Sequence, residues 1–169
     1  LECAETVDCA LLARKLSSNP AIEYAEPMHR QTITTDPNDP ELSRQYNIRN
    51  VRAIDAWDEL PAGSEPVLLA IIDTGVDYDH EDLAANIYTN PGESGTDTQG
   101  RDKRSNGVDD DANGFVDDWR GWDFVGGTSG TEQDNDPRPG NAHGTHVAGI
   151  AAAVVNNALG IAGIARNAQ

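Results

Sequence analysis

The sequence has few basic residues, and this shortage excludes one group of functions. Lysine and arginine together number 12 against 29 aspartates and glutamates, which gives the 169 residues a formal net charge of −17. Such a chain repels a polyanion such as nucleic acid, or an anionic membrane surface, and attracts divalent cations. We therefore expect no nucleic-acid partner.

Long apolar runs and an export signal are missing as well. The chain has no apolar run of about 18 residues, the minimum for a helix that crosses a bilayer, so we expect no membrane span. Residues 1–9 have neither the basic start nor the apolar stretch of a signal peptide. We expect any export signal to have been removed or to lie outside this sequence.

Cysteine is nearly absent, since only Cys3 and Cys9 occur. Their spacing, without a second pair or matching histidines, is not that of a zinc site. Two interpretations stay open: a small-loop disulfide in a secreted protein, or two free thiols in a helical segment. The cysteines therefore do not decide the cellular compartment.

The first part of the sequence predicts the end of a small α+β module. A helix is predicted from an N-cap at Asp8 to Ser17, because leucines recur at helical spacing and Asn19-Pro20 ends the run. Residues 21–27 then alternate apolar and polar side chains, as a half-buried strand does. Two Asp-Pro pairs follow within residues 31–40 and favour a linker there.

The segment after the linker predicts an α/β domain. Residues 53–60 have helical character, and the continuous apolar run 67–72, which ends at Asp73, is typical of a central strand in a parallel sheet. Residues 144–155 are small and apolar on all sides, which predicts a helix buried in the domain. Between them, residues 90–141 are rich in Gly, Asp, Asn and Ser, and bound ions would explain so long a loop region.

Asp73 and His143 are the candidate catalytic residues. Asp73 lies at the carboxyl edge of the predicted sheet, where α/β folds bind ligands, although an aspartate there can also simply cap a turn. From the start of the predicted helix, His143 can exchange a proton with a hydroxyl and a leaving amine while a carboxylate orients its ring. A zinc site with His146 is disfavoured, because the glutamate of a metalloprotease helix is missing.

Two stretches around these residues resemble a known family. They are Ala70-Ile71-Ile72-Asp73-Thr74-Gly75-Val76-Asp77 and His143-Gly144-Thr145-His146-Val147-Ala148-Gly149. Both resemble the aspartate and histidine signatures of the subtilases, the subtilisin-like serine proteases of peptidase family S8, in the family's order. The resemblance implies a three-layer α/β fold with a central parallel sheet, and a serine endopeptidase that acts on polypeptides. Asp73 would orient the general base His143, and His146 would pack or form hydrogen bonds within the core.

The resemblance also implies a secreted, extracellular zymogen. Residues 16–27 resemble the end of the inhibitory propeptide of secreted subtilases, and residues 38–48 resemble the start of the mature enzyme. Residues 1–30 would then be the C-terminal part of a propeptide that acts as an intramolecular inhibitor. Residues 31–40 would hold the processing linker and the mature N-terminus, and residues 41–169 the N-terminal portion of the catalytic domain.

The family's nucleophile has no match in this sequence. In subtilases the serine lies in a Gly-Thr-Ser-Met-like motif well downstream of the histidine, with an oxyanion asparagine between, and neither follows His143 before Gln169. We expect both groups elsewhere in the protein, and the 169 residues alone to be inactive. The alternatives are a pseudoprotease and a calcium-binding module that keep the fold without catalysis.

An acidic loop predicts the first of three structural Ca²⁺ sites. Residues 109–117 place oxygens at alternate positions and a glycine at the sixth, like the first part of an EF-hand loop. Position twelve is Arg120 instead of the bidentate glutamate, so the match is partial, and a solvated acidic turn is the alternative. The candidate ligands are Asp109, Asp111, Asn113 and Asp117.

The resemblance implies two further Ca²⁺ sites. One joins the mature N-terminus to the loop after the histidine helix, and its matching ligands are Asp39, Asp82, Asn157 and the carbonyls of Val155, Leu159 and Ile161. The other resembles a calcium loop of thermostable relatives and would use Asp123, Asp134 and Asp136. Ordinary turns are the alternative at each place.

Overall fold

The chain forms two compact units. A computed structural model describes residues 9–22, 25, 36–60, 64–126 and 132–169. The division between the units falls between Thr34 and Thr35, inside the linker predicted over residues 31–40. That the first unit is a propeptide stays a prediction.

The first unit contains one described helix, α1, Cys9–Ser17. Its last turn closes with two hydrogen bonds: the Ser18 hydroxyl donates to the Lys15 carbonyl at 2.6 Å, and the Asn19 N–H donates to the Leu16 carbonyl at 3.0 Å. The helix predicted up to Ser17 is therefore confirmed over these residues. Outside the described residues lie Cys3, Asp8 and most of the strand predicted over residues 21–27.

Three α-helices are described in the second unit. They are α2, Tyr46–Asn50, α3, Ala53–Asp58, and α4, His143–Ala152, and single 3₁₀ turns lie at Leu42–Arg44, Ala84–Asn86 and Lys103–Ser105. The predicted helices 53–60 and 144–155 are thus confirmed. Helix α3 ends two residues early, and α4 begins one residue early and ends three residues early. No helix in the described residues has both the length and the apolar character needed to cross a bilayer.

Two small apolar clusters form the core of the second unit. The first joins α2 and α3 to the turn after α4 through Leu42, Ile48, Ala53, Trp57 and Ala162. The second packs α4 against the segment after Asp73 through Leu83, Ala148 and Ala153, with Ile71, Val76, Ile87 and Ile161 around them. Both clusters therefore include residues of the segment that follows α4.

Backbone hydrogen bonds also secure the end of α4. The last carbonyls of a helix have no partner within the helix. Here the Ile150 carbonyl accepts from the Ile164 N–H at 3.1 Å, and the Ala151 carbonyl accepts from the Ala165 N–H at 2.8 Å. Residues 164 and 165 therefore lie beside the last turn of α4.

The apolar run 67–72 pairs with the last residues of the sequence. Val67 and Ala168 form a parallel bridge, with the Val67 N–H donating to the Asn167 carbonyl at 2.9 Å and the Gln169 N–H to the Val67 carbonyl at 3.0 Å. The predicted sheet is not confirmed, because isolated bridges are the only β pairing in the described residues. Among the described residues no strand pairs with residues 70–72, and Ile72 is 93% exposed.

Candidate active site and calcium-binding regions

Asp73 lies where the apolar run 67–72 ends. One carboxylate oxygen, Oδ1, accepts a hydrogen bond from the Thr74 N–H at 2.7 Å, and the same oxygen lies 2.6 Å from His143 Nδ1. The two residues are 70 positions apart in sequence. The fold therefore brings together the aspartate and histidine that the sequence singled out.

His143 is the first residue of α4, and two polar side chains hold this end of the helix. The first N–H groups of a helix have no partner within it. Asn141 Oδ1 accepts from the His143 N–H at 2.9 Å, and Thr74 Oγ1 accepts from the Gly144 N–H at 3.0 Å. The Thr74 hydroxyl in turn donates to Asn141 Oδ1 at 3.2 Å. These bonds fix the position of His143 relative to its neighbour Asp73.

Glycine permits the close approach between α4 and the turn after Asp73. A Cβ atom on Gly144 would lie 2.2 Å from the Gly75 carbonyl oxygen and 3.2 Å from Asp73 Oδ1. Gly75 has a φ of +90°, and a Cβ there would lie 2.7 Å from the Pro137 carbonyl oxygen. Neither position accepts a side chain without a backbone shift. The two glycines of the matching motifs therefore set the distance between Asp73 and His143.

The hydrogen bonds determine which ring nitrogen of His143 carries the proton. Two hydrogen bonds hold the pKa of Asp73 below its ordinary value of 3.8. The bond from His143 has the larger effect, and the bond from the Thr74 N–H has the smaller one. An ionised carboxylate only accepts, so Nδ1 carries the hydrogen and Nε2 of the neutral ring is left with a free lone pair. The His143 side chain is 67% exposed, whereas that of Asp73 is 17% exposed. Nε2 of His143 can therefore accept a proton from a group outside the Asp73–His143 pair.

His146 takes no part in this pair. The resemblance implied that His146 packs in the core, but the residue is exposed. His143, His146 and Ile150 follow one another at helical spacing and share a face of α4, and Ile150 is 38% exposed. His146 and Ile150 are both exposed and belong to neither apolar cluster of the described chain, so His146 does not pack in the core.

A family model, described as the subtilase family, matches residues 64–169, which is more than half of the chain and includes both motifs. The chain belongs to the subtilase family. Relatives that match most of this chain support its membership in the family. The thermophilic serine proteinase of Bacillus sp. (strain AK1) is 36% identical over 159 residues, 94% of this chain and 30% of the relative.

Two other relatives give the same result. Thermitase of Thermoactinomyces vulgaris is 39% identical over 134 residues, 79% of this chain and 34% of thermitase. The halolysin-like extracellular serine protease Nep of Natrialba magadii is 36% identical over 146 residues, 85% of this chain and 21% of the relative. The chain thus spans about a third or less of the length of these proteins.

One of the predicted calcium regions contains Asp39 and the loop after α4. Asp39 and Asp82 are 4% and 3% exposed. Both oxygens of Asp39 accept from the Asn156 N–H, at 3.1 and 2.8 Å. The Asp82 oxygens accept from Asn157 Nδ2 at 2.8 Å and from the Ile161 N–H at 2.9 Å. Two buried carboxylates therefore meet the same loop from two distant parts of the chain.

Backbone carbonyls of this loop are free to act as additional ligands. The carbonyls of Val155, Leu159 and Ile161 accept no hydrogen bond from any other residue in the described part of the chain. At Gly160, a Cβ atom would lie 2.3 Å from Asp82 Oδ2, so a side chain cannot be accommodated beside this carboxylate. The residues present suit a cation that is bound by oxygen atoms. Binding itself stays a prediction.

The acidic loop 109–117 folds around its own side chains. Asp109 accepts from the Asn113 N–H at 3.1 Å and from the Gly114 N–H at 2.8 Å. Among the described residues, one group of three carboxylates could hold a metal ion, and it consists of Asp109, Asp111 and Glu93. Both oxygens of Asp117 accept instead from the Gly107 N–H at 3.1 Å.

The candidates for the third site make separate local contacts. Asp123 and Asp134 form an antiparallel bridge through their backbones. Asp123 Oδ1 accepts from the Val125 N–H at 2.9 Å, and Asp136 Oδ1 accepts from the Tyr78 hydroxyl at 2.8 Å. Within the described part of the chain, these three carboxylates do not form a group close enough to share a cation.

Sequence reasoning missed the residues that support the sites. Thr74 lies within the first motif and Asn141 two residues before the second. The signal that could have identified both is a helix N-terminus whose first N–H groups need the oxygen of a Thr or an Asn. Glu93 lies in a Pro-Gly turn, 16 residues before Asp109 in the numbering. The sequence indicates Glu93 only indirectly: the loop 109–117 lacks the acidic residue expected at position twelve, so an acidic residue from another segment could take that place.

Proposed function

We propose that the protein to which this chain belongs is a serine endopeptidase that hydrolyses peptide bonds through an acyl-enzyme. The observation that carries the proposal is the 2.6 Å contact between Asp73 Oδ1 and His143 Nδ1. Membership in the subtilase family supports it, as do relatives whose names describe serine proteinases. The substrate class is polypeptide.

The roles of the two residues follow from the proton on Nδ1. Nε2 of His143 accepts the proton of a serine hydroxyl as that oxygen attacks the peptide carbonyl, and then returns it to the leaving amine. Asp73 keeps the ring in the reactive tautomer and stabilises the imidazolium that forms in between. A water molecule then hydrolyses the ester by the same exchange. The serine and the oxyanion donors would come from another part of the protein.

The proposal includes structural Ca²⁺ in the region of Asp39, Asp82 and Asn157. A cation there would neutralise two buried carboxylates and receive the free carbonyls of residues 155, 159 and 161. It would tie the start of the second unit to the loop after α4, because Asp39 belongs to the one and Asn157 to the other. The ion contributes stability, and no catalytic step passes through it.

The proposal also includes a secreted precursor with residues 1–30 as inhibitory propeptide. Its support is the match to residues 16–27 and a relative whose name describes an extracellular protease. Two observations test it: the protein accumulates in the culture medium, and N-terminal sequencing of that material places its first residue between residues 28 and 36. A mature protein that retains residues 9–22 would contradict this part alone.

Substitution of His143 in the full-length protein tests the catalytic proposal. His143→Ala is expected to lower kcat for a peptide ester by about 10⁴-fold or more, because no base remains to accept the serine proton. His146→Ala is the matched control, an exposed histidine on the same helix, and should retain activity. Equal activity of the two variants would favour a pseudoprotease or a calcium-binding module.

A further inference from the structure

Near the candidate site, two arginines share one tyrosine ring and one carboxylate. The guanidinium carbons of Arg120 and Arg138 lie 4.5 and 4.4 Å from the ring centre of Tyr78. Arg120 Nη1 also lies 3.1 Å from Asp79 Oδ1, and Arg138 Nη2 donates to Asp79 Oδ2. A cation is attracted to the face of an aromatic ring, and hydrogen bonds between ionised groups are among the stronger ones. We call these four residues the arginine–tyrosine cluster.

The charges of the cluster are balanced. The Tyr78 hydroxyl donates to Asp136 Oδ1 at 2.8 Å, and Arg138 Nε lies 3.8 Å from the same oxygen. The bonds from Arg138 and from Arg120 hold the pKa of Asp79 below its ordinary value of 3.8, so this carboxylate is ionised near neutral pH. Two positive charges therefore face two carboxylates. The balance leaves no surplus charge to attract a ligand, and it favours a role in holding chain segments together.

The cluster joins the two segments that carry the catalytic pair. Tyr78 follows Asp73 by five residues, and Arg138 precedes His143 by five residues. The contact of 2.6 Å between Asp73 Oδ1 and His143 Nδ1 joins the same two segments at their other ends. A shift of one segment along the other would therefore change the distance between Asp73 and His143.

Backbone hydrogen bonds between these two segments are few. The Val76 N–H donates to the Pro137 carbonyl at 2.9 Å, and the Gly140 N–H donates to the Thr74 carbonyl at 3.2 Å. Proline has no N–H, and Pro137 and Pro139 leave only two of the four residues in 137–140 able to donate. Residues 137–140 belong to no helix or strand. Side chains therefore have to supply much of the contact that holds this segment in place.

We propose that Tyr78, Arg120 and Arg138 are positioning residues for the catalytic pair, and that they act together with Asp79. They hold the segment before His143 against the turn after Asp73, and in this way they set the hydrogen bond between Asp73 Oδ1 and His143 Nδ1. Their effect on the reaction passes through the alignment of this pair. The inference rests on the proposed peptidase function and adds to it residues that lie outside both matching motifs.

The chemistry of arginine suits this role better than that of lysine. The planar guanidinium can lie over an aromatic ring and donate to a carboxylate at the same time, because its N–H groups point outward in its own plane. An ammonium group is a compact point charge without such a plane. A lysine at position 138 would therefore keep the charge and lose the combined contact with Tyr78 and Asp79.

Substitution of Arg138 in the full-length protein tests the effect on catalysis. Arg138→Ala should lower kcat for a peptide ester by about tenfold or more and leave KM within about twofold, because the pair loses its alignment while substrate binding is retained. Arg138→Lys should lower kcat as well. Arg44→Ala is the matched control and should change neither constant, since Arg44 is also exposed and paired with a carboxylate, Glu41 at 2.8 Å.

Two variants of Tyr78 separate the ring from the hydroxyl group. Tyr78→Leu removes the ring under both guanidinium groups and should lower kcat by about tenfold, as Arg138→Ala does. Tyr78→Phe keeps the ring, loses only the bond to Asp136, and should restore most of the kcat that Tyr78→Leu loses. An equal loss in the two variants would overturn the assignment of this role to the ring and the arginines.

Proton NMR of the full-length protein observes the hydrogen bond itself. The proton on His143 Nδ1 is strongly deshielded by its bond to the Asp73 carboxylate, and its downfield resonance is identified by its absence in His143→Ala. In Arg138→Ala this resonance should move upfield or broaden, whereas Arg44→Ala should leave it unchanged. The measurement needs no turnover. If the parent protein hydrolyses nothing, the proposed function fails, and this resonance still decides whether the cluster positions the pair.

Three results would count against the inference. One is a kcat and a resonance in Arg138→Ala that equal those of the parent. Another is a lower unfolding midpoint with kcat and the resonance unchanged, which is expected of residues that only stabilise the fold. The third is a rise in KM alone, which would make the cluster a substrate contact. If circular dichroism shows that Arg138→Ala does not fold, Arg120→Lys takes its place, with the same expected losses and the same results against it.

Discussion

The imidazole of His143 is bound at one nitrogen and open at the other. Asp73 holds Nδ1 at 2.6 Å, while the side chain as a whole is 67% exposed. A base needs both properties, because the bound nitrogen fixes the tautomer and the open one meets the substrate's proton. Asp73 is itself fixed by the Thr74 N–H. The chemistry at the residue scale therefore depends on the carboxylate as much as on the ring.

Asp73→Asn tests this dependence in the full-length protein. The amide can donate to Nδ1, which favours the tautomer with its hydrogen on Nε2, and that nitrogen can then no longer accept a proton. We expect kcat for a peptide ester to fall by about 10⁴-fold with little change in KM, since Asp73 acts through the histidine and does not contact the substrate. Asp55→Asn, at an exposed aspartate of α3, should change neither constant. A rise in KM without any loss of kcat would argue against this role.

The same variant gives a prediction for pH. The pKa of Asp73 lies below its ordinary value because of the bonds from His143 and Thr74. A group with a lowered folded-state pKa stabilises the protein above its unfolded-state pKa, and this contribution disappears as the pH falls through the folded-state value. The difference in unfolding midpoint between the parent and Asp73→Asn should therefore be full near neutral pH and shrink only below about pH 4. A difference that is constant from pH 7 to pH 2 would contradict this cause.

At the scale of elements, the junction between α4 and the turn after Asp73 decides whether the site forms. Gly144 faces the Gly75 carbonyl with no space for a side chain. The bonds from Thr74 and Asn141 to the first N–H groups of α4 lie at the same junction. A small displacement of the helix would separate Asp73 from His143, although neither residue had changed.

Gly144→Ala should therefore weaken both stability and catalysis. The added methyl would lie 2.2 Å from the Gly75 carbonyl oxygen, so α4 has to move. Forcing such a group into a packed contact typically costs about 1–3 kcal/mol in free energy of unfolding. Gly140→Ala is the matched control, because a Cβ there meets nothing within 4 Å, and should change the free energy by less than about 0.5 kcal/mol. Denaturant unfolding measures both, and similar losses in the two variants would show that the contact at Gly144 is unimportant.

The helices and the strand pairing differ in how well the sequence predicts them. The helices were predictable because spacing, caps and small residues are local signals, and the motifs located Asp73 and His143 for the same reason. The pairing of residue 67 with residue 168 was not predictable, because it depends on a partner about 100 residues away along the chain. Glu93 was not predicted for the same reason, since the loop that it contacts begins only after a turn and a further acidic segment. Its burial and its distance to that loop are visible in the structure, whereas the spacing of residues in the sequence does not indicate them.

At the scale of the whole molecule, an apolar surface is left open next to the candidate site. Val67, Leu68 and Ile72 are 67%, 60% and 93% exposed. Residues 68–72 line a cavity of about 1010 Å³ that also reaches Asp73 and Ala148. A continuous apolar surface of this kind marks a region that another element covers. In the proposed enzyme, the covering element would be the remaining strands and helices of the catalytic domain.

The 169-residue chain by itself is therefore expected to bind a hydrophobic dye and to hydrolyse nothing. Exposed apolar surface binds anilinonaphthalene sulfonate, so the isolated chain should give a stronger fluorescence increase per mole than the full-length protein, where this surface is covered. Peptide-ester turnover should be absent, because an Asp–His pair assists acyl transfer only when a nucleophile and oxyanion donors stand beside it. The full-length protein, assayed in parallel, supplies the positive control. Turnover by the isolated chain that is lost in His143→Ala would contradict the prediction, since the nucleophile would then have to lie within these 169 residues.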